Sequence, residues 1–352
     1  MLEFKIFERF DEECYRDFEK LNDNSNYNFF QNYSYLKKLS FENKNKIKII
    51  SIYSEKNIIA ILPLEIKKYF VFKVLQWIGT EKSDVCNPIL IKNFELYVKD
   101  NNFLSLWEDI LKSVGEYDLI FFNNQISKIG DSSNPFIKCL KSVQYSNIYQ
   151  IKLPENFQEY LDNQKKNDKK KYYEIHRTRI KSQNLNKKHN VLFEIKKLSD
   201  LNLTFKDIIK DKIKQLKKKK IRHNLDQKFI RIFDTLIKKN PSNYVLASLK
   251  VEKQIISSCF GILLNDTFYY YIPFMSSTEY NKFKPGKILT LKIISWCIEN
   301  KIKIFDFGLG DEKYKENFSN YSLPLYRFSQ GKSLLGKFLL LGIKIIFFNK
   351  KL

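Results

Sequence analysis

The sequence is poor in the residues that break or stiffen a chain. Its 352 residues include 10 Gly, 8 Pro and two alanines, Ala60 and Ala247. So little Gly and Pro excludes a collagen-like rod, and 43% hydrophobic residues excludes wholesale disorder. Five cysteines, Cys14, Cys86, Cys139, Cys259 and Cys297, are odd in number and scattered, and no CxxC spacing occurs. Neither a disulfide framework nor a zinc site follows, and the chain reads as reduced and cytoplasmic. Histidine is scarcer still. His176, His189 and His223 have no Cys or His partner at metal spacing, so no metal is expected. GxSxG and HExxH are both missing. No run of about 20 apolar residues is free of charge, which excludes a polytopic membrane architecture. Charge appears within the first five residues with no apolar signal core behind it, so no secretory leader is expected.

Acid is the scarce charge. Lys and Arg number 62 against 39 Asp and Glu, a formal net charge of +23. Residues 161–240 hold 25 basic and 9 acidic residues, so +16 of the total lies there. Abundant Lys, Asn, Ile, Phe and Tyr with almost no Ala is what an A/T-rich coding sequence produces on solvated helices. The other reading is a surface that faces phosphates or anionic membranes. The length fits one large or two medium domains with substantial cores.

Periodicity divides the chain. Residues 1–150 read as an α/β unit. It has a helix over Cys14–Leu21, a polar loop over Asn22–Asn26 and a helix from Ser34. Strands Lys46–Tyr53 and Ile58–Leu64 flank the hairpin turn Ser54–Asn57. Strand Phe72–Ile78, loop Gly79–Pro88, helix Leu104–Val114 and strand Tyr117–Phe122 follow. Residues 151–330 form a second unit. Its basic helices at 158–240 comprise a long Gln158–Leu185 helix, then Phe205–Lys220 and Asp226–Lys239. Strands Tyr244–Lys250, Gln254–Leu264 and Thr267–Phe274 come next, then a helix from Gly286 to Asn300 behind Pro285. Strand Ile302–Phe307, a short helix around Tyr314 and strand Leu325–Ser329 complete the unit. Residues 331–352 form a tail. Its apolar stretch Leu334–Phe348 is 15 residues, short of a membrane span, with Lys337 and Lys344 on one face and Asn349, Lys350 and Lys351 behind. It reads either as a helix packed on the domain or as an interfacial membrane helix.

One segment concentrates chemistry. Asp306 lies in an apolar strand between Phe305 and Phe307, where a carboxylate is costly unless paired or functional. Gly308 and Gly310 allow the chain to turn, and Asp311, Tyr314 and Lys315 follow within one loop and helix turn. An ion pair of Asp306 with Lys315 that only braces the strand is the plainer alternative.

The run Asp306 to Lys315 resembles the DF-x-x-G-D-x-x-YK signature of GNAT-fold acyltransferases of the FemAB-like group, often described as cellulose-biosynthesis-type acetyltransferases. Tyr269–Phe274 and Tyr280–Leu289 resemble the same group's strand and S-P-G helix start, with Lys284 in place of the usual Ser. Phe30–Leu36, Ile61–Leu64 and Ile78–Asp84 resemble its F-Q-S-x-x-W-L, A-L-P-L and L-G-x-x-x-S-D segments in the right order. The resemblance implies an α/β (α+β) fold of two tandem GNAT-like domains, each a mixed twisted sheet flanked by helices. It implies an N- or O-acyltransferase that takes acetyl or another acyl group from acyl-CoA. The acceptor would be a small-molecule or lipid-linked sugar or amine of a cell-envelope or polysaccharide precursor. Asp306, or Asp311 through water, would be the base and Tyr314 the acid. Lys315 would orient the carboxylate or bind an anionic acceptor. Tyr271, Phe274, Lys284, Pro285, Gly286 and Lys287 would hold the donor, and Gln31 and Asp84 would face the acceptor. Two alternatives stay open. One is a tRNA-dependent aminoacyl ligase on the same fold. The other is a non-catalytic basic module for membrane or nucleic acid, with peripheral membrane contact through the tail.

Overall fold

A computed structural model describes residues 2–22, 27–221, 223–276 and 278–348. The polar loop at 23–26 and the basic end at 349–351 lie outside the described residues. The chain begins β1 (Leu2–Phe7), α1 (Glu12–Asn22), α2 (Tyr33–Asn43), β2 (Lys46–Ser54), β3 (Asn57–Tyr69), β4 (Phe72–Trp77) and β5 (Ile89–Leu90). Next come α3 (Asp100–Ser113), β6 (Leu119–Ile126), β7 (Lys128–Ile129), β8 (Ser132–Ser133), α4 (Pro135–Cys139) and β9 (Val143–Lys152). The helical stretch holds α5 (Phe157–Asn167), α6 (Lys169–Lys188), β10 (Val191–Lys197), α7 (Phe205–Lys218) and α8 (Gln227–Lys239). Then follow β11 (Tyr244–Val251), β12 (Gln254–Leu264), β13 (Thr267–Met275), α9 (Pro285–Glu299), β14 (Ile304–Leu309), α10 (Lys313–Phe318), β15 (Tyr321–Gly331) and α11 (Leu334–Phe348).

Two compact units result. Residues 1–146 and 324–352 make the first, and residues 147–323 the second. In the first, the strand order is β1-β2-β3-β4-β6-β15. Every neighbouring pair is antiparallel except β4 and β6, which run parallel through Val74–Leu119 and Leu75–Ile120. The β2–β3 turn places Glu55 and Lys56 at φ 51° and 69°, the left-handed pair that suits the twist of a hairpin. Helices α3 and α4 bury Phe103, Trp107 and Phe136 on one sheet face against Trp77 and Phe122.

The second unit has the order β9-β14-β13-β12-β11-β10, again with one parallel pair, β13 and β14. Helix α9 covers one face, packing Ile288, Leu289, Ile293 and Ile294 with Phe268, Phe305 and Phe307. It starts with Pro285 at its first position, where a missing N–H costs nothing. Helices α7 and α8 cover the other face, packing Phe205 and Phe233 edge-on against Phe260 and Phe229 against Phe233. Each such ring contributes roughly 1.5–3 kcal/mol of burial, which fixes the helices on the sheet.

Besides the short β5, β7, β8 and α4, the structure departs from the sequence reading at three places. The expected Gln158–Leu185 helix is two helices, because Asp168 breaks it. Its Oδ1 accepts from the N–H groups of Lys170 and Lys171 at 2.9 and 3.1 Å and caps α6. Strands β1 and β10 were not expected. Both are edge strands with one solvated face, so charged residues interrupt their apolar run. The boundary expected at residue 330 also moves. Strand β15 pairs with β6 from Leu325–Ile126 to Gly331–Leu119, so residues 324–352 belong with the first unit. Among the described residues no helix is long and apolar enough to cross a membrane.

Candidate functional site

The site in the second unit begins with a bulge. Along β12 and β13 the register jumps from Phe260–Ile272 to Gly261–Tyr270, leaving Tyr271 as an extra residue. A bulge bends and twists its strand. Parallel pairing of β13 with β14 accordingly covers Thr267–Ile304, Phe268–Phe305 and Tyr269–Asp306 and goes no further among the described residues. Among the described residues the ladder between the two strands ends there, which makes an opening in the pairing of the sheet.

On the β14 wall, Asp306 is only 6% exposed. Its Oδ2 accepts from Gln150 Nε2 at 2.7 Å and its Oδ1 from the Gly308 N–H at 2.6 Å. Burial raises its carboxyl above the ordinary range, and Gln150, Gly308 and Lys315 oppose that shift. Lys315, in the first turn of α10, is 5% exposed. Its Nζ donates to the Leu309 carbonyl at 2.6 Å and pairs with Glu312 Oε2 at 3.0 Å. Gly310 makes room for this pair. A Cβ there would fall 2.4 Å from Glu312 Oε2 and 3.0 Å from Lys315 Nζ, on a backbone at φ +125°. Tyr314 is half-buried with its ring edge-on to Phe307 at 6.1 Å, and its phenol has no hydrogen-bond partner among the described residues. Burial first, then Glu312 and Cys259, hold that phenol in its protonated form. Asp311 is exposed on the loop.

Two residues that the sequence reading left without a role join this wall. Glu312 is the ion-pair partner just described. Lys212, half-buried on α7, has its charged form disfavoured by burial and by Lys219 and Lys315, while Glu312 and Cys259 oppose the shift. No local signal marks Lys212, which is one lysine in a helix full of them. Cys259 is fully buried and burial pushes its thiol up, so it is inert as a nucleophile.

At the other end of the opening, α9 starts without a side-chain cap, after Lys284 in a left-handed conformation at φ 59°. Lys287 Nζ pairs with Glu174 Oε2 at 2.8 Å, and Arg177 Nη1 pairs with Glu174 Oε1 at 3.2 Å. Lys181 is depressed by burial and by repulsion from Lys284, Arg177 and Lys287. Glu174 thus pairs with Lys287 and Arg177 while Lys181 and Lys284 stand close by, an excess of positive charge at a helix N-terminus that fits an anion.

The expected catalytic residues Asp306, Tyr314 and Lys315 come together, with Asp311 on the rim. The expected donor residues divide. Lys284, Pro285, Gly286 and Lys287 form the α9 start. Tyr271 turns its ring to the α8 side, 5.4 Å from Phe233 and 6.2 Å from Phe229. Phe274 lines a groove of about 970 Å³ beside α7, with Lys210, Lys214, Lys218 and Met275. The acceptor residues lie in the first unit. Asp84 is half-buried in the 79–88 loop. Gln31, expected to face the acceptor, is here an internal bracket. Its Nε2 donates to the carbonyls of Asn87 and Pro88, and its Oε1 accepts from Asn28, which leaves no free valence for a ligand.

The first unit has its own diverging pair, β4 and β6, but its own chain occupies that opening. Cys86 N–H donates to the Asn124 carbonyl at 2.9 Å, Asn124 Nδ2 to Ser83 O at 2.8 Å, and the Ile126 N–H to Asn87 Oδ1 at 3.0 Å.

Comparisons with known proteins bear on the fold. No curated protein matches the sequence. Over the whole chain the fold is similar to the crystal structure of FemX, at TM-score 0.60 and 11% identity, covering 92% of this chain and 96% of that one. It is also similar to L-PGS from Bacillus licheniformis, at TM-score 0.51 and 11% identity over 97% and 98% of the two chains. A tandem GNAT protein from the clavulanic acid biosynthesis pathway aligns at TM-score 0.51 and 8% identity over 95% and 100%. Residues 175–316, which contain the opening and both of its charged ends, match the family model of the acetyltransferase (GNAT) domain.

Proposed function

We propose that the second unit moves an acyl group, acetyl being the simplest, from a thioester donor to an amine or hydroxyl of an anionic cell-envelope or polysaccharide precursor. The observation that supports this most is the opening between β13 and β14, with Tyr314 and the Lys315–Glu312 pair on one wall and surplus cations at the α9 start. Backbone groups of β13 beyond Tyr269 can bond the amides of an extended pantetheine arm. The cations Lys181, Lys284 and Lys287 would take the donor's phosphates. The nucleophile adds to the thioester carbonyl, and the C–S bond then breaks from the tetrahedral intermediate. Lys315 has three donors and uses two internally, so one remains for the oxyanion. Tyr314 gives its proton to the departing thiolate, and Asp311 takes the nucleophile's proton through water. Asp306 has both oxygens engaged, so its part is to hold the Gly308 turn that presents Lys315. The lysine-lined groove beside α7, with Phe274 and Met275 on its wall, suits an acceptor with both an anionic and an apolar part. This reading keeps the FemAB-like, cellulose-biosynthesis-type resemblance as its guide to substrate class.

A second reading is an aminoacyl group delivered on tRNA. The basic faces of α6 and α7 favour it. Calorimetric titration with acetyl-CoA and with aminoacyl-tRNA at low salt separates the two donors. Saturable acetyl-CoA binding is expected, weakened about tenfold in the Lys181→Ala/Lys284→Ala variant. Tyr314→Phe should keep that binding and lose about a hundredfold in turnover of labelled acetyl-CoA. Binding of aminoacyl-tRNA alone would transfer the proposal to the second reading, and wild-type turnover in Tyr314→Phe would remove the acid.

A further inference from the structure

The first unit carries an apolar surface that its own core does not use. In α11, the described positions 334, 335, 337, 338, 341 and 342 are exposed, while Gly336 is buried and 339 and 340 are half-buried. That spacing is one helical face. It presents Leu334, Phe338 and Leu341 at 76%, 71% and 57% exposure, with Lys337 among them. The helix cannot simply roll over to hide them, because its start is fixed. Lys332 N–H donates to the Asp118 carbonyl at 2.7 Å and Ser333 Oγ to Asp118 Oδ1 at 2.6 Å. A Cβ on Gly336 would lie 1.8 Å from the Asp118 carbonyl oxygen, so helix and strand meet backbone to backbone.

A second exposed apolar element reaches the same residue. The tip of the β3–β4 hairpin is Phe70-Val71, at 93% and 79% exposure. Phe70 sits at φ 51°, a conformation that Gly or Asn adopts with less strain. Packing does not explain an aromatic there. Two residues later, the Lys73 N–H donates to Asp118 Oδ2 at 2.8 Å, and the Asp118 N–H donates to Lys73 O at 2.8 Å. Asp118 thus ties the base of the hairpin tip and the start of α11 to one edge of the unit. The charge there is positive. Lys332 and Lys337 are exposed at the start of α11, Lys68 is exposed beside the tip, and the nearby Glu116 is neutralised by Lys73 at 2.9 Å.

We propose that this edge, with Phe70 and Val71 on one side of Asp118 and Leu334, Phe338 and Leu341 on the other, docks the protein on an anionic lipid surface. Apolar side chains from two elements would enter the headgroup boundary while lysines meet the lipid charge, the arrangement of an interfacial helix. A second copy of the chain is the less fitting occupant, since each face would bring its lysines against the other's. The proposal does not depend on acyl transfer and can fail without it.

Flotation of the full chain on phosphatidylcholine vesicles with and without phosphatidylglycerol tests it. The chain should float with the anionic vesicles, weakly with the neutral ones, and less at high salt. Phe338→Glu/Leu341→Glu and Phe70→Glu/Val71→Glu should each reduce flotation about tenfold with unchanged thermal melting, because these side chains are exposed in the folded chain. No flotation of the wild type, or flotation of either variant at the wild-type level, would overturn the proposal. So would a concentration-dependent dimer in sedimentation that the Phe338→Glu/Leu341→Glu variant abolishes in the absence of lipid binding.

Discussion

At the scale of single residues, the chain holds buried carboxylates on opposite terms. Asp306 receives two donors, and bonds to a charged acceptor contribute about 1.5–3 kcal/mol each, enough to offset much of its burial. Glu65, on β3 in the first unit, is buried with less help. Gln76 Nε2 donates to its Oε1 at 2.8 Å, while Oε2, near Asn45, meets no donor in bonding geometry. Burial raises its carboxyl above the ordinary value. A folded pKa above the unfolded one means that the folded state binds more protons between the two values, so stability falls as pH rises through that window. Glu65→Gln keeps the Gln76 bond and removes the charge. We expect it to stabilise the protein by about 1–3 kcal/mol at pH 8 and to leave it unchanged near pH 4, measured by urea unfolding at both values. Equal effects at the two pH values would show that shape, not ionisation, governs this position. Asp306 was legible in the sequence as an anomaly in an apolar strand. Glu65 was not, because a carboxylate between Leu64 and Ile66 reads as the solvated residue of an alternating strand.

At the scale of elements, the opening depends on one bulge, and the bulge depends on the fit of Gly261 against Phe268. A Cβ at Gly261 would meet the Phe268 ring at 2.5 Å. Gly261→Ala must therefore push Phe268, which stacks on Phe305 of β14 at 5.3 Å, and so disturb the last paired residues before the strands part. We expect a loss of about 1–3 kcal/mol in urea unfolding with an unchanged slope. Donor affinity should fall along with it. Full affinity in a destabilised variant would separate the bulge from donor binding. The helices and inner strands of both units were readable because each keeps one period. The break at Asp168 was hidden by the charge on both sides of it, and β1 and β10 by the polarity of an edge.

At the scale of the whole molecule, two units repeat one plan, an antiparallel run followed by one parallel pair and a further antiparallel strand. Their openings differ. The first is bonded to the chain's own 83–87 segment, and the second is lined by Tyr314, Lys315 and Glu312. We therefore expect one donor molecule per chain in a calorimetric titration, and two would mean that the 79–88 loop can leave its place. The bonds of Gln31 to the Asn87 and Pro88 carbonyls were not legible in the sequence, because they join residues more than 50 apart.

The sequence by itself determined the class of fold, most of the elements and the segment from Asp306 to Lys315, because periodicity, turn residues and a carboxylate among aromatics are local signals. Only the tertiary structure decided the rest. Strand β15 joins the first unit through pairs about 200 residues apart, Lys212 is singled out from its helix by what lies opposite it, and Glu174 draws Arg177 from its own helix and Lys287 from another. Each of these is a relation between distant residues, and its energy depends on separation in space, which no local pattern along the chain records.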